Sequence, residues 1–282
     1  MKALDSKWFE SCWEQARNRA GNRYTPDLDV SLSIYECFEA IGQDPSFFDR
    51  FDSSVSELRK SVQRFPGAAW AHATSENKSK AAIELLDHSL QTMLLLSALR
   101  ERAPIQLPVA HASKTLKDAE HVVQPLLEEF RAADNKKKGI DETQIEYVVD
   151  DVEKLLEWIT DIEESITGSL WNAANSKKLL VLGPAGTGKT HLFCEMTQRR
   201  INMGLPSLLF LGQSLRAPFN DALQLLTQSI DPGVDPKELV VALDECARKL
   251  STRCVIAIDA INEGDRNSWV SALPALIDAG KS

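Results

Sequence analysis

Ten consecutive residues carry the clearest chemistry in this chain: Val181–Thr190, VLGPAGTGKT. Gly183, Gly188, Lys189 and Thr190 fill the spacing G-x-x-x-x-G-K-[ST], in which a glycine-rich turn wraps its backbone N–H groups around phosphate oxygens. Gly183, Gly186 and Gly188 permit backbone angles that a Cβ opposes. The positive end of a following helix adds to the field on an anion. In this pattern Lys189 reaches the β- and γ-phosphates and the Thr190 hydroxyl ligates Mg²⁺. Pro184, Ala185 and Thr187 complete the turn, and His191 ends the binding stretch. The flanks suit the chemistry. KKLLVL (177–182) predicts a buried parallel strand, and THLFCEMTQRR (190–200), free of Gly and Pro, predicts a helix. The alternative is a glycine turn that matches by chance, and the strand–loop–helix setting argues against it. The stretch reads as a site for a nucleoside triphosphate.

A second element lies downstream. CVIAID (254–259) is a β-branched run ending in an acid. A carboxylate at the C-terminal edge of a parallel strand, beside a phosphate loop, can hold the Mg²⁺ that bridges the phosphates. Asp259 is that candidate ligand. Alone, such a run is a weak signal, because many buried strands end in an Asp that caps a helix; the phosphate-loop pattern before it strengthens it. Glu263, four residues on, is the candidate to orient or deprotonate an attacking water, against the plainer reading of a surface carboxylate.

These residues need a scaffold, and the bulk numbers allow one. The chain has 282 residues, 43% of them hydrophobic and 26% charged, which excludes a disordered or collagen-like chain. A formal charge of -9 argues against a dominant nucleic-acid surface. The five cysteines show neither C-x-x-C nor histidines at metal-ligand spacing, the usage of a reduced, cytoplasmic protein. No secretory leader is legible, and the longest apolar run, Met93–Leu99, is too short to span a bilayer, so no membrane partner is expected.

The elements fall into three stretches. Residues 1–30 hold a first amphipathic helix (Leu4, Trp8, Phe9, Cys12, Trp13, Ala16) ended by Gly21, then a turn-rich connector. Its two tryptophans either mark an exposed docking surface or, as aromatic stripes usually do, pack on helices downstream. Residues 31–168 read as an all-helical bundle. Gly42 and Pro45 separate its first two helices, and Pro125 is expected to kink or divide a later one. Its last helix starts from a capping box (Asp141, Gln144). It carries the heptad seam Ile145, Val148, Val152, Leu155, Ile159, Ile162 and Ile166, and stops at Gly168. Residues 140–168 contain ten acids against Lys154 alone, and ten minus one leaves nine negative charges, as many as the whole chain's net. From Ser169 strands alternate with helices: strands at 177–182, 206–212 and 254–259, and helices near 217–229 and after Asp235, where Leu239, Leu243, Ala247 and Leu250 form the buried face. The fold class expected is α then α/β, an all-helical domain followed by a parallel-sheet nucleotide-binding domain over 169–282.

The order GPAGTGKT, strand, helix, then IDAINEG followed by Trp269 resembles the STAND class of P-loop ATPases, which includes the NACHT proteins and the bacterial STAND ATPases of antiphage defence. NRYTPDLDVSL (22–32) resembles the segment that joins effector and ATPase in such proteins. The resemblance covers this connector and roughly 170–276, and it is specific at the two motifs. It implies an ATP-dependent switch with an ASCE-type sheet, ATP and Mg²⁺ as cofactors, and homo-oligomerisation on activation. It also implies an effector outside this chain and a phage-derived or other trigger sensed by a C-terminal region. Lys189 and Thr190 then serve phosphate and Mg²⁺, Asp259 serves Mg²⁺, and Glu263 is the hydrolytic acid. Many NACHT proteins have Asp where this chain has Asn262, so Glu263 would carry that role alone. The chain leaves no space for an effector before the connector, has no sensor repeats, and stops at Ser282, where a further strand of the class is expected. A fragment or truncated product of a longer protein is the expectation, with weak or absent hydrolysis by this chain alone. Two other functions compete: a motor-type remodelling ATPase with a helical adaptor, and a non-hydrolysing helical interaction module with a vestigial nucleotide site.

Overall fold

A computed structural model describes residues 4–24, 32–65, 76–132, 142–212, 235–261, 269–270 and 274. Among them are nine α-helices and one two-stranded parallel sheet, divided into two compact units: 1–45 with 173–282, and 46–172.

The first unit begins with α1 (Ser6–Ala20), where Asp5 caps the N-terminus by accepting the Trp8 N–H at 2.9 Å. Gly21, at φ 56°, ends it in a conformation that favours glycine. Next come α2 (Leu32–Gly42), α8 (Lys189–Asn202), β1 (Ser207–Leu211), α9 (Pro236–Lys249) and β2 (Val255–Asp259). The strands pair in parallel with Ser207 opposite Val255 and Leu211 opposite Asp259. All five β1 residues are buried, as a strand covered on both faces requires. Phe9, Trp13, Ala16 and Ala20 of α1 pack with β1, with Cys194 of α8 and with Leu239 and Leu243 of α9. The Trp13 indole N–H donates to the Cys194 carbonyl at 3.2 Å, so this tryptophan is core and not a docking surface. Tyr35, Phe38 and Ile41 of α2 pack on Leu192, Met196 and Val255. Burial pushes the Cys12, Cys194 and Cys254 thiols up to about 12, which keeps them protonated and chemically quiet at neutral pH.

The second unit holds most of α3 (Pro45–Arg64), then α4 (Glu76–Ala98), α5 (Val109–Ala132), α6 (Glu142–Thr167) and the start of α7 (Ser169–Asn175). The heptad seam is the buried face of α6: Val152, Leu155 and Ile159 are fully buried. Trp171 closes one end, with its ring 5.1 Å from Phe47 and 4.8 Å from Phe51. The acidic α6 is tied to α5 by Lys117–Glu163 at 3.0 Å and by an Arg131–Glu153 pair. Because α4 packs on α5 and α5 on α6 within this unit, residues 46–172 alone are expected to give a helical circular dichroism spectrum and a cooperative melt. A coil spectrum would show that these helices need the other unit to fold.

Four expectations change. The compact units do not follow the boundaries 30 and 168: the leader helix and α2 belong with the sheet, because their apolar faces pack there. Residues 177–182 are not a strand, and Leu180 and Leu182 are 74% and 80% exposed. The described sheet has two strands, and neither pairs with this run, so no backbone ladder holds it extended. Of the two outcomes expected at Pro125, division does not occur: α5 is one helix, with Pro125 and His121 both facing water, so the carbonyl that loses its partner is solvated. Leu250 lies in the turn after α9 and is 43% exposed. The expected helix near 217–229 and the cap residue Asp141 lie outside the described residues.

One buried polar network joins α2, α8 and the lead into β2. Arg200 and Asp44, 1% and 0% exposed at their side chains, form an ion pair. Thr252 Oγ1 lies 2.9 Å from both the Gly42 carbonyl and an Asp44 carboxylate oxygen. Arg200 also donates to the Arg253 carbonyl at 2.8 Å, and Arg253 donates to the carbonyls of Ile41 at 3.0 Å and Ala174 at 2.7 Å. The carbonyls that end α2 are thereby satisfied from the sheet side. Of these groups Ile41, Gly42 and Asp44 lie just before the chain leaves the first unit at Pro45, and Ala174 just after it returns at Ala173.

Candidate functional site

The loop Gly183–Gly188 turns directly into α8. Gly186 and Gly188 have φ 78° and 81°, and a Cβ at either would meet nothing within 4 Å. Glycine is therefore required at both by backbone conformation and not by space; a side chain there costs about 1–2 kcal/mol. Gly188 is the N-cap of α8 and supplies no side-chain bond. The first bond inside the helix runs from the Leu192 N–H to the Gly188 carbonyl, at 2.9 Å. A helix start without a side-chain cap is the arrangement that receives anions.

The Lys189 side chain folds over this loop. Its ammonium donates to the carbonyls of Gly183 at 2.7 Å and Pro184 at 2.6 Å, and lies 3.3 Å from Thr187 Oγ1. Thr187 in turn donates to the Pro184 carbonyl at 2.9 Å. A Cβ on Gly183 would stand 3.1 Å from Thr187 Oγ1, close enough to press on that turn. The loop, Pro184 and Ala185 included, is exposed.

Thr190, in the first turn of α8, donates from Oγ1 to Oδ2 of Asp259 at 2.6 Å, across 69 residues of chain. Asp259 ends β2 and is 4% exposed, so its carboxylate is held at the sheet edge beside the loop. An alcohol and a carboxylate in hydrogen-bond contact present two hard oxygens to one place, the donor set that suits Mg²⁺. The residues fit that ion by chemistry. The Asp259 charge also reaches the Cys194 thiol, which burial first and Asp259 second push up to about 12.

His191 points away from the loop. Its ring is buried and stacks on Tyr24, with centroids 5.4 Å apart and planes 22° apart. The Tyr24 hydroxyl lies 2.7 Å from Gln198 Oε1 and 3.1 Å from Glu195 Oε2. Burial and the Glu195 carboxylate push the Tyr24 phenol up to about 12. Tyr24 thus braces α8 along three of its turns, a role that sequence reasoning missed, because a tyrosine in a turn-rich connector belongs to no periodic pattern. Asn262 and Glu263 lie outside the described residues. The structure brings Thr190 to Asp259 and folds Lys189 over the glycine loop. No protein-family model, characterised protein or solved structure matches the chain.

Proposed function

We propose that the first unit binds Mg²⁺·ATP at Gly183–Thr190, as a P-loop nucleoside triphosphatase. Within that class it acts as a STAND-type signalling switch, with nucleotide driving self-assembly in a defence protein. The observation that carries nucleotide binding is the 2.6 Å hydrogen bond from Thr190 to Asp259. It joins two residues that sequence reasoning had assigned separately to one metal ion. The left-handed Gly186 and Gly188, the N-terminus of α8 without a side-chain cap and the Lys189 ammonium support the same reading. The switch role rests on the resemblance of GPAGTGKT and IDAINEG to that class. ATP over GTP rests on it too.

In this reading the loop N–H groups and Lys189 hold the β- and γ-phosphates, and Thr190 and Asp259 hold Mg²⁺, which supplies charge neutralisation at the phosphates. Titration calorimetry is expected to show ATP binding strengthened by Mg²⁺, with Asp259→Asn keeping Mg²⁺-free affinity and losing the Mg²⁺ gain. Light scattering is expected to show ATP-dependent assembly. Absence of ATP binding removes the whole reading; binding without assembly removes only the switch. A non-hydrolysing nucleotide module is the second reading, favoured by the exposed run 177–182, which leaves the loop without a strand behind it. Phosphate release that Glu263→Gln abolishes would exclude that reading.

A further inference from the structure

The residues that follow the two strands approach each other more closely than a side chain permits. Gly212 follows β1 and Ala260 follows β2. A Cβ built on Gly212 would stand 2.6 Å from the Ala260 carbonyl oxygen, 3.0 Å from its carbon and 3.1 Å from the Asp259 carbonyl oxygen. All three atoms are backbone, so no rotamer change relieves the contact; the β2 terminus itself must move. Ala260 adds a second constraint. Its φ is 56°, left-handed for a residue that carries a Cβ, and its carbonyl oxygen is the atom nearest the missing Cβ of Gly212. The strained residue is adjacent to Asp259, whose carboxylate accepts from Thr190 at 2.6 Å.

From this geometry we infer that Gly212 and Ala260 are positioning residues for the Asp259 carboxylate: a glycine ending one strand lets the backbone beside the metal ligand turn sharply. The inference rests on the Mg²⁺·ATP reading above and adds which residues set its metal-dependent component. A methyl group at 212 needs the carbonyls of Ala260 and Asp259 to retreat by several tenths of an ångström or more. The Asp259 carboxylate follows its backbone, so a shift of that size moves it from the position in which it accepts from Thr190 at 2.6 Å and disturbs the pair of oxygens offered to the metal. Phosphate contacts made by the loop and Lys189 lie on the other side of that bond in sequence and involve neither strand end. The effect is therefore selective for the metal.

The experiment measures ATP affinity with and without Mg²⁺ for the natural chain, Gly212→Ala, the double variant Gly212→Ala/Ala260→Gly, and Gly204→Ala. Gly212→Ala is expected to lose tenfold or more of affinity with Mg²⁺ and less than twofold without it. Ala260→Gly in the same chain frees the carbonyl to turn aside, and is expected to recover at least half of that loss. Gly204, at φ 75° with nothing near its missing Cβ, lies in the turn before β1. Gly204→Ala lowers the melting temperature through backbone strain alone and is expected to leave the Mg²⁺ gain unchanged. Equal Mg²⁺ gain in Gly212→Ala and the natural chain overturns the inference, as does an equal loss in Gly204→Ala. A ligand-free measurement separates its failure from that of the nucleotide reading. In the natural chain the melting-temperature losses of Thr190→Val and Asp259→Asn are expected to be non-additive, and in the Gly212→Ala background additive. Non-additivity that survives Gly212→Ala overturns the positioning role whether or not ATP binds.

Discussion

Asp44→Asn is expected to destabilise the first unit by about 3–5 kcal/mol, the loss found when one partner of a buried ion pair is removed. With total stabilities of about 5–15 kcal/mol, such a loss leaves a large unfolded population. Three features put the effect at this end of the scale. Arg200 and Asp44 are both inaccessible to water, so the guanidinium left behind is not rescued by solvation. Asp44 also meets Thr252, so the substitution disturbs a second buried group. The site has no slack, since a Cβ on Gly42 would collide with Arg200 Nη1. Denaturant melts of Asp44→Asn and of the double variant Asp44→Leu/Arg200→Met measure it. The double variant is expected to be the milder, because exchanging both charges for apolar groups removes the desolvation penalty along with the attraction. A loss under about 1 kcal/mol for Asp44→Asn, the range of an exposed pair, would show that the network is hydrated.

The second large effect is on binding. Lys189→Ala is expected to weaken Mg²⁺·ATP at least tenfold with almost no change in melting temperature. Hydrogen bonds to charged groups contribute about 1.5–3 kcal/mol, which corresponds to roughly 10- to 150-fold. The Lys189 ammonium already lies over the loop between the Gly183 and Pro184 carbonyls, so a phosphate entering there meets its charge first. Removing a half-buried side chain whose bonds are all to an exposed loop leaves the core intact, so stability and affinity separate cleanly. Lys189→Arg is a useful companion: it keeps the charge, but its planar fork does not reproduce a compact ammonium among carbonyls, and an intermediate loss is expected. Unchanged affinity in Lys189→Ala would remove the loop from the binding site.

Local patterns carried much of this protein in plain text. From Val148 to Ile166 the heptad seam of α6 is buried as its spacing requires, because side chains three and four apart share one helix face wherever the helix is placed. The same holds for Gly21 at the end of α1, for Pro236 at the start of α9 and for the strands Ser207–Leu211 and Val255–Asp259. The glycine loop was legible because its signal is a backbone conformation, and at Gly186 and Gly188 that conformation is left-handed. Pairings between distant segments were not legible. No spacing rule connects Asp44 to Arg200, Tyr24 to His191, or Gly212 to Ala260. Each pair exists because separate elements converge, and the residue type alone fits many settings. The run 177–182 shows the converse. Its composition is that of a buried strand, yet strand structure is a relation between two segments, and no strand pairs with it among the described residues. Sequence decided which side chains share a face and where the chain can turn. Tertiary structure decided which faces meet, and so placed Thr190 in contact with Asp259, because a hydrogen bond across 69 residues depends on packing that no local pattern records.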